Sequence, residues 1–317
     1  MGFGWGAACQ NAAMGRAVRF QVLCLPNVPW DVLRERVVRV ERLGFEVAGI
    51  ADHFVDWTDP PRPWFESWTA LTALAGATTS LRLATCVTQI AFRNPAVFAR
   101  QALTLDHVSG GRLEIGLGTG LVGDPSYAMT GIPDWEPKER VARLGEYADI
   151  VDRLLRDEVT TYEGTYYRVA GAIMNPRPIQ SPRPPITIAA LGPVMMRHAA
   201  RTADLWSSLS FRESFDEQLE ETRLRVAQMA DACDAVGRDP ETLRRSFTMY
   251  DATARPRGGT YDCYTSLERF EAMVGPLLEL GMDEIVVYYP PDERQLPTFE
   301  RIAADVLPRL RARPAIA

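Results

Sequence analysis

Short aliphatic runs alternate with longer amphipathic stretches along most of the chain, and this alternation predicts strands followed by helices. Residues 18–25 form a run typical of a buried strand, and the stretch from Pro29 to residue 43 has the period of a helix. The same order recurs further on, with strands at 81–87 and 112–117 around another helix. Because a helical crossover joins parallel strands, we expect the loops after these two strands to lie side by side.

Eight such strand–helix units fit within the chain. The predicted strands lie at 18–25, 45–50, 81–87, 112–117, 186–189, 204–207, 244–250 and 284–288. The predicted helices lie at 29–43, 67–79, 93–107, 138–155, 192–201, 214–236, 266–280 and 293–312. Eight units in one chain favour a closed (β/α)8 TIM barrel over an open sheet, with insertion loops at 54–66, 121–137 and 156–180.

Two segments within this pattern carry further detail. Residues 160–169 predict a small hairpin rather than a barrel strand, because a polar turn separates two short β-prone runs. The helix at 138–155 is strongly amphipathic, and we expect Arg140, Arg143 and Glu146 to point to solvent.

Composition and charge narrow the classes of partner. A net charge of −6 argues against nucleic acid, and no apolar run reaches the 18 residues or so that a membrane span needs. Five cysteines without CxxC spacing indicate reduced thiols and a cytoplasmic location, and three histidines outside metal-binding spacings predict no metal site. Residues 1–16 lack the basic start of a signal peptide and are expected to be a flexible extension of a single domain at 17–317.

Polar residues follow the second predicted strand, where a parallel barrel presents its reactive groups. Asp52 and His53 come directly after an apolar run, and they cannot both point into an apolar layer. His53 is therefore a candidate to face a ligand, with Asp52 binding nearby. The alternative is a histidine that a neighbouring carbonyl satisfies.

Two glycine-containing turns are candidates for binding a planar or phosphorylated ligand. Gly116, Gly118 and Gly120 follow the fourth strand, where small residues let a backbone approach a ligand closely; a tight barrel turn would need them equally. Gly192 and Pro193 open a helix whose first N–H groups form a ready phosphate site, although any such connection can use these residues.

The third strand ends at a cysteine. Cys86 fits a small buried hydrophobe as well as a reactive group, and no electropositive neighbour in the sequence favours the latter. Arg93 and Asn94, at the start of the next helix, are expected to anchor the loop rather than to touch substrate.

Five motifs together resemble the luciferase-like family, and more narrowly its branch of oxidoreductases that use the deazaflavin coenzyme F420. They are ADHF, ATCV, FRNPAVFARQALTLDHVSGGRLEIGLGTG, YEGTYYR and IAALGP, and the resemblance covers residues 18–210 best. It implies a (β/α)8 barrel whose third strand ends in a bulge with a non-prolyl cis peptide, here Cys86–Val87, that backs the tricyclic ring.

The resemblance also implies roles for individual residues. His53 and Trp57 match the histidine and tryptophan of the family's glucose-6-phosphate dehydrogenase members, which makes them the catalytic candidates. The cofactor-binding candidates are Asp52, Cys86, Val87, Gln89, Gly118, Thr119, Gly120, Asp124, Leu191, Gly192, Pro193 and Val194.

The chain departs from those dehydrogenases at two positions that concern the substrate. Those enzymes have a glutamate directly after the GTG turn, and this chain has Leu121 there. The resemblance therefore does not predict a sugar phosphate as the substrate of this chain. Arg212 lies near where they hold a basic residue for the sugar phosphate, and it is the candidate for binding a substrate, which leaves an anionic substrate open.

These observations predict an F420-dependent oxidoreductase that transfers a hydride between the deazaflavin and a small organic substrate, as a homodimer. His53 is expected to handle the proton, because an imidazole gives or takes one near neutrality. The alternatives are an FMN-dependent monooxygenase on the same barrel and a non-catalytic deazaflavin-binding protein.

Overall fold

The computed structural model describes residues 17–251 and 259–312, and a barrel of parallel strands forms its centre. The strands are β1 (Arg19–Cys24), β2 (Val47–Ile50), β3 (Arg82–Thr85), β4 (Thr88–Gln89), β5 (Leu113–Gly118), β6 (Val159–Glu163), β7 (Arg168–Ile173), β8 (Ile186–Ala189), β9 (Leu205–Leu209), β10 (Arg244–Thr248) and β11 (Glu284–Tyr288). The expected extension at residues 1–16 lies outside the described residues.

The sheet closes on itself with eight strand positions. Its order is β3-β2-β1-β11-β10-β9-β8-β5-β4, and a further pairing of β3 with β5 completes the ring. β3 and β4 occupy one position, because β5 pairs with β3 at Leu83↔Leu113 and with β4 at Thr88↔Leu117. All of these pairings are parallel. The predicted (β/α)8 barrel is confirmed.

Helices connect the strands around the outside of the barrel. They are α1 (Trp30–Arg42), α2 (Ser67–Ala75), α3 (Pro95–Val108), α4 (Pro125–Thr130), α5 (Pro137–Arg156), α6 (Pro193–Thr202), α7 (Phe215–Asp234), α8 (Leu267–Glu279), α9 (Leu296–Arg301) and α10 (Leu307–Arg311). Their apolar faces cover strands that are buried along most of their length. Within the described ranges, none of these helices is both long and apolar enough to cross a bilayer.

The last predicted helix is interrupted. A π-helical turn at Ile302–Val306 separates α9 from α10, and the N–H of Leu307 bonds to the carbonyl of Ile302, five residues back. Pro308 explains the change, because it has no N–H to give to the helical ladder and its ring crowds the preceding turn.

Buried charges close the amino end of the barrel. Arg19, at the start of β1, pairs with Glu114 at 2.7 Å and with Glu284 at 2.5 Å. Burial opposes ionisation of Glu114, but Arg19 and Arg82 outweigh it and lower the pKa of Glu114, whereas burial raises the pKa of Glu284. These ion pairs fill the end of the barrel opposite to that where the strands finish.

The segment 121–137 contains a helix where the sequence predicted only a loop. The prediction that Arg140 points to solvent is wrong. α4 lies within it, and Arg140 of α5 turns toward this segment and is only 2% exposed. Arg140 donates to the carbonyls of Trp135 and Thr119 at 2.7 and 3.0 Å. The helical period places Arg140 on the polar face of α5. It carries no information about the loop that folds over this face, so it could not predict the burial of Arg140.

The predicted hairpin at 160–169 is confirmed as the antiparallel pair β6–β7. Its turn rests on α5, because the carboxylate of Glu146 accepts the backbone N–H groups of Thr165, Tyr166 and Tyr167 at 2.8–3.1 Å. Glu146 therefore fixes the hairpin against the barrel.

Glu41 gives a testable link between pH and stability. Its carboxylate, on α1, accepts the backbone N–H groups of Thr79, Ser80 and Leu81 at 2.7–3.0 Å and so fixes the chain before β3. Burial opposes ionisation of Glu41, but these hydrogen bonds outweigh it and lower the pKa from 4.5 to about 2.

We predict that Glu41→Gln lowers Tm by about 2 °C at pH 7, because a neutral amide oxygen is the weaker acceptor. A pKa that is lower in the folded state means that the stabilisation is complete above about pH 4.5 and is lost as the pH falls toward 2. Thermal unfolding followed by circular dichroism should thus show the difference in Tm shrinking between pH 5 and 3. Glu35→Gln, which removes an exposed pair with Arg39, is the control, and an equal effect there would contradict the assignment.

Candidate active site at the carboxyl ends of the strands

A cavity of about 440 Å³ lies at the carboxyl ends of the barrel strands. That volume is within the range of small-molecule sites. Ten of the residues expected at the site line it, namely His53, Trp57, Cys86, Val87, Gln89, Gly118, Thr119, Gly120, Leu191 and Gly192. The other five, which do not line it, are Asp52, Asp124, Pro193, Val194 and Arg212.

The cavity floor is formed where the barrel ladder is interrupted between β3 and β4. The Cys86–Val87 peptide there is cis, as predicted. Burial raises the pKa of the Cys86 thiol to about 12, so Cys86 is a neutral side chain at neutral pH and not a nucleophile.

Side-chain hydroxyls replace the ladder bonds that the interruption removes. Thr85 Oγ1 donates to the carbonyl of Gly116 at 3.0 Å and accepts the N–H of the same residue at 3.2 Å. Thr88 Oγ1 donates to Thr85 Oγ1 at 2.8 Å and accepts the indole N–H of Trp68 at 3.1 Å. Each of these buried polar groups is satisfied, which holds the interruption in place.

The glycines of β5 make room for the interruption. A Cβ on Gly116 would meet the carbonyl oxygen of Thr85, and one on Gly118 would come within 2.5 Å of Val87 Cγ2. Gly120 has φ +75°, a conformation that other residues rarely adopt. The structure thus gives Gly116 and Gly118 a packing role against the bulge, and Gly118 also borders the cavity.

Asp124 forms a hydrogen bond with His53, a contact that was not predicted from the sequence. Its Nδ1 lies 2.7 Å from Asp124 Oδ2, and Asp124 is also the N-cap of α4. The N–H of Phe54 bonds to Ser126 Oγ at 3.2 Å and ties the two loops together. Burial opposes ionisation of Asp124, but hydrogen bonds from His53 and Ser126 outweigh it and hold the pKa of this carboxyl well below its usual range. Gln89 Nε2 lies 3.0 Å from the same Nδ1, so both Asp124 and Gln89 contact this side of the imidazole.

A chain of hydrogen bonds fixes the orientation of the neighbouring amide. Arg140 donates to the Tyr127 hydroxyl at 3.0 Å, and that hydroxyl donates to Gln89 Oε1 at 2.6 Å. Burial raises the pKa of Tyr127, which keeps the hydrogen on its oxygen. Gln89 Nε2 then donates to the carbonyl of Asp52 at 2.8 Å and to Asp124 Oδ2 at 3.2 Å. Asp124 Oδ2 thus lies within hydrogen-bond distance of both Gln89 and His53.

Asp52 supports the site from behind rather than facing the cavity. Its side chain is buried, accepting from Ser67 at 2.7 Å and from the backbone N–H of Gln89 at 3.0 Å. Arg93 binds both of its carboxylate oxygens, at 2.6 and 3.0 Å. The expectation that Arg93 anchors its loop is confirmed. Asn94, which caps α3 through the N–H groups of its first turn, does the same.

Two tryptophans enclose the His53 ring. Trp57 lies nearly parallel to it, with centroids 6.5 Å apart, and Trp64 meets it edge-on at 5.7 Å. Both come from the loop that follows β2, and both line the cavity. They exclude water from one side of the imidazole.

The start of α6 borders the cavity on another side. Leu191 and Gly192 line it, whereas Val194 is 45% exposed. The first hydrogen bond of this helix runs from the N–H of Met196 to the carbonyl of Gly192 at 2.9 Å. The N–H groups of the first turn therefore make no hydrogen bond within the helix, which is the arrangement that binds an anion at a helix start.

Comparison with known proteins places the chain in a family. The model of the luciferase-like monooxygenases matches residues 1–256. The chain belongs to the luciferase-like monooxygenase family. It is also 31% identical over 321 residues to an F420-dependent glucose-6-phosphate dehydrogenase of Intrasporangium calvum, covering 88% of this chain and 94% of that protein. The family named from the sequence motifs is thus confirmed.

Solved structures share the luciferase-like fold. An F420-dependent tetrahydromethanopterin reductase from Methanopyrus kandleri superposes with a TM-score of 0.74 at 20% identity, over 92% of this chain and 99% of that one. An F420-dependent secondary alcohol dehydrogenase in complex with an F420–acetone adduct gives a TM-score of 0.75 at 18% identity, over 90% and 98%.

In this luciferase-like chain, Arg212 does not reach the cavity. Its side chain is 62% exposed and lies 3.9 Å from Glu221 of α7. The preceding residue, Phe211, lines the cavity instead. Successive side chains of an extended segment point to opposite sides, so a resemblance that places a residue within one position can select the wrong side.

Several residues that line the cavity were not predicted from the sequence. Asp56, three residues beyond His53, lines the cavity, and so do four aromatic residues on its far side, Phe211, Tyr250, Tyr261 and Tyr288. An aromatic residue at the end of a predicted strand could have signalled two of them, Tyr250 and Tyr288. Within the described residues, no group of three His, Cys, Asp or Glu side chains converges to hold a metal ion.

Proposed function

We propose that this chain is an F420-dependent oxidoreductase that transfers a hydride between the deazaflavin and a small organic substrate. The observation that carries the proposal is the His53–Asp124 pair, 2.7 Å apart, at a cavity floored by the Cys86–Val87 bulge. The F420-dependent relative from Intrasporangium calvum supports the choice of coenzyme.

The residues present fit a deazaflavin. The bulge and Gly118 offer a surface with few projecting side chains, against which a flat ring can lie. Gly192 has open space where a Cβ would stand, directly before the first turn of α6, so a phosphate can approach its N–H groups. We assign Cys86, Val87, Gln89 and the GTG turn to the ring, and Leu191 and Gly192 to the phosphate.

Asp52 and Asp124 act through other residues in this proposal. Asp52 positions Gln89 and Arg93, and Asp124 orients His53. Neither carboxylate is available to the coenzyme, because its oxygens are occupied by these partners. This modifies the roles that the family resemblance implied for them.

When bound, a deazaflavin accepts or donates a hydride, and the protein supplies position and a proton handler. His53 Nε2 accepts the hydroxyl proton of an alcohol as the carbon loses its hydride, and it returns a proton to the oxygen in the reverse direction. Asp124 stabilises the imidazolium that forms, while Trp57 and Trp64 keep water from the ring. The homodimer and the cytoplasmic location stay predictions.

An FMN-dependent monooxygenase is the second candidate, because the family model that matches is that of luciferase-like monooxygenases. The named F420-dependent relative, which aligns over almost the whole chain, favours the deazaflavin. The pair of His53 and Asp124 also suits proton transfer to or from a substrate oxygen.

We predict that His53→Ala lowers kcat by about 10²–10⁴-fold, the usual contribution of general acid–base catalysis. The Kd for F420 should change less than about threefold, since the ring and phosphate contacts remain. The measurements are kcat with the enzyme's substrate and Kd by deazaflavin fluorescence. His107→Ala, which removes an exposed imidazole on α3, is the control. A near-normal kcat in the His53 variant would remove His53 from the mechanism.

Asp124→Asn tests the orienting acid separately, because asparagine also caps helices and so preserves the start of α4. We predict a fall in kcat of about 10–100-fold and a shift of the pH–rate profile toward lower pH, since a neutral amide no longer stabilises the imidazolium. Asp134→Asn, in the same loop and paired with Arg140, should leave the profile in place. A fall in kcat without any change in the pH profile would make Asp124 a structural residue only.

A further inference from the structure

The far side of the cavity is a wall of aromatic rings. Phe211 follows β9, Tyr250 follows β10, and Tyr288 ends β11, while Tyr261 precedes α8. Phe211 and Tyr250 meet edge-on with centroids 5.2 Å apart, and Tyr261 and Tyr288 stack at 5.4 Å. We call these four residues the aromatic wall.

Hydrogen bonds hold this wall in place. The side-chain amide of Gln295 accepts the N–H of Tyr261 at 2.9 Å and donates to its carbonyl at 2.7 Å. Tyr264 donates its hydroxyl to the carbonyl of Tyr288 at 2.6 Å. Phe211 is the outermost ring, and half of its surface is exposed at the cavity. A preformed surface of this kind binds apolar groups with little loss of side-chain entropy.

Among the described residues that line the cavity, one is an arginine. Arg62, the arginine among its described lining residues, is already paired with Asp59 at 2.8 Å. Asp56 is buried and negative, because bonds from Thr58 and Asn27 outweigh its burial and lower its pKa. The described lining residues therefore offer a phosphate no unpaired arginine, and the negative faces of the aromatic rings would repel it.

We propose that the substrate is an uncharged organic molecule with an apolar ring, whose alcohol or carbonyl oxygen lies at His53 Nε2 while its ring packs on the aromatic wall. This inference rests on the proposed function, in which the alcohol carbon gives its hydride to the deazaflavin and its oxygen gives the proton to His53. In this chain Phe211 lines the cavity and Arg212 does not. The proposed substrate therefore differs from the glucose 6-phosphate of the relative from Intrasporangium calvum.

The test uses the F420-loaded protein and three probes: cyclohexanol, benzyl alcohol and glucose 6-phosphate. F420 binding is measured first by fluorescence, and each probe is then titrated while the bound deazaflavin fluorescence is followed. We expect saturable binding of both neutral alcohols and at least tenfold weaker binding of glucose 6-phosphate. Stronger binding of the sugar phosphate, or no binding of either alcohol, would overturn the inference.

Variants locate the binding surface. Phe211→Ala should raise the Kd for benzyl alcohol about tenfold, while Phe211→Leu, which keeps an apolar side chain, should recover most of the affinity. Leu224→Ala, on the exposed face of α7, is the control. An unchanged Kd in Phe211→Ala would contradict a wall that contacts the substrate.

The two proposals fail in distinguishable ways. If F420 does not bind, the proposed function is wrong and the substrate inference falls with it. If F420 binds and glucose 6-phosphate is the better ligand, the coenzyme assignment stands and the substrate class alone is wrong.

Discussion

The interruption of the barrel ladder between β3 and β4 is the constraint on which the rest of the site depends. β5 pairs first with β3 and then with β4, and Cys86 and Val87 lie between these two pairings. The hydroxyls of Thr85 and Thr88 supply the missing partners, and Gly116 supplies the space. The interruption is thereby held in place, with Cys86 and Val87 lining the cavity.

A second constraint orders the charges around His53. Hydrogen bonds from His53 and Ser126 outweigh burial and lower the pKa of Asp124, and Asp124 in turn orients the His53 ring through Nδ1. The donors that orient Gln89 come from α4 and α5, in the insertion that follows β5. The orientation of His53 therefore depends on a segment that is separate in sequence from the histidine.

The sequence predicted the barrel well, because buried parallel strands and their helices each carry a period that neighbouring residues alone determine. It also placed His53 correctly, since position at a strand end is a local property. It did not predict the His53–Asp124 contact or the burial of Arg140, because both arise where the insertion at 121–137 folds over α5. Phe211 lines the cavity, where Arg212 was expected. Which of two adjacent residues faces the cavity depends on the register of the chain, and the hydrophobic pattern does not determine that register.

The most direct measurement is a pair of fluorescence titrations of the purified protein, one with F420 and one with FMN. The proposed function predicts saturable binding of F420 and at least tenfold weaker binding of FMN. Tight binding of FMN with no detectable binding of F420 would contradict it and would favour the monooxygenase.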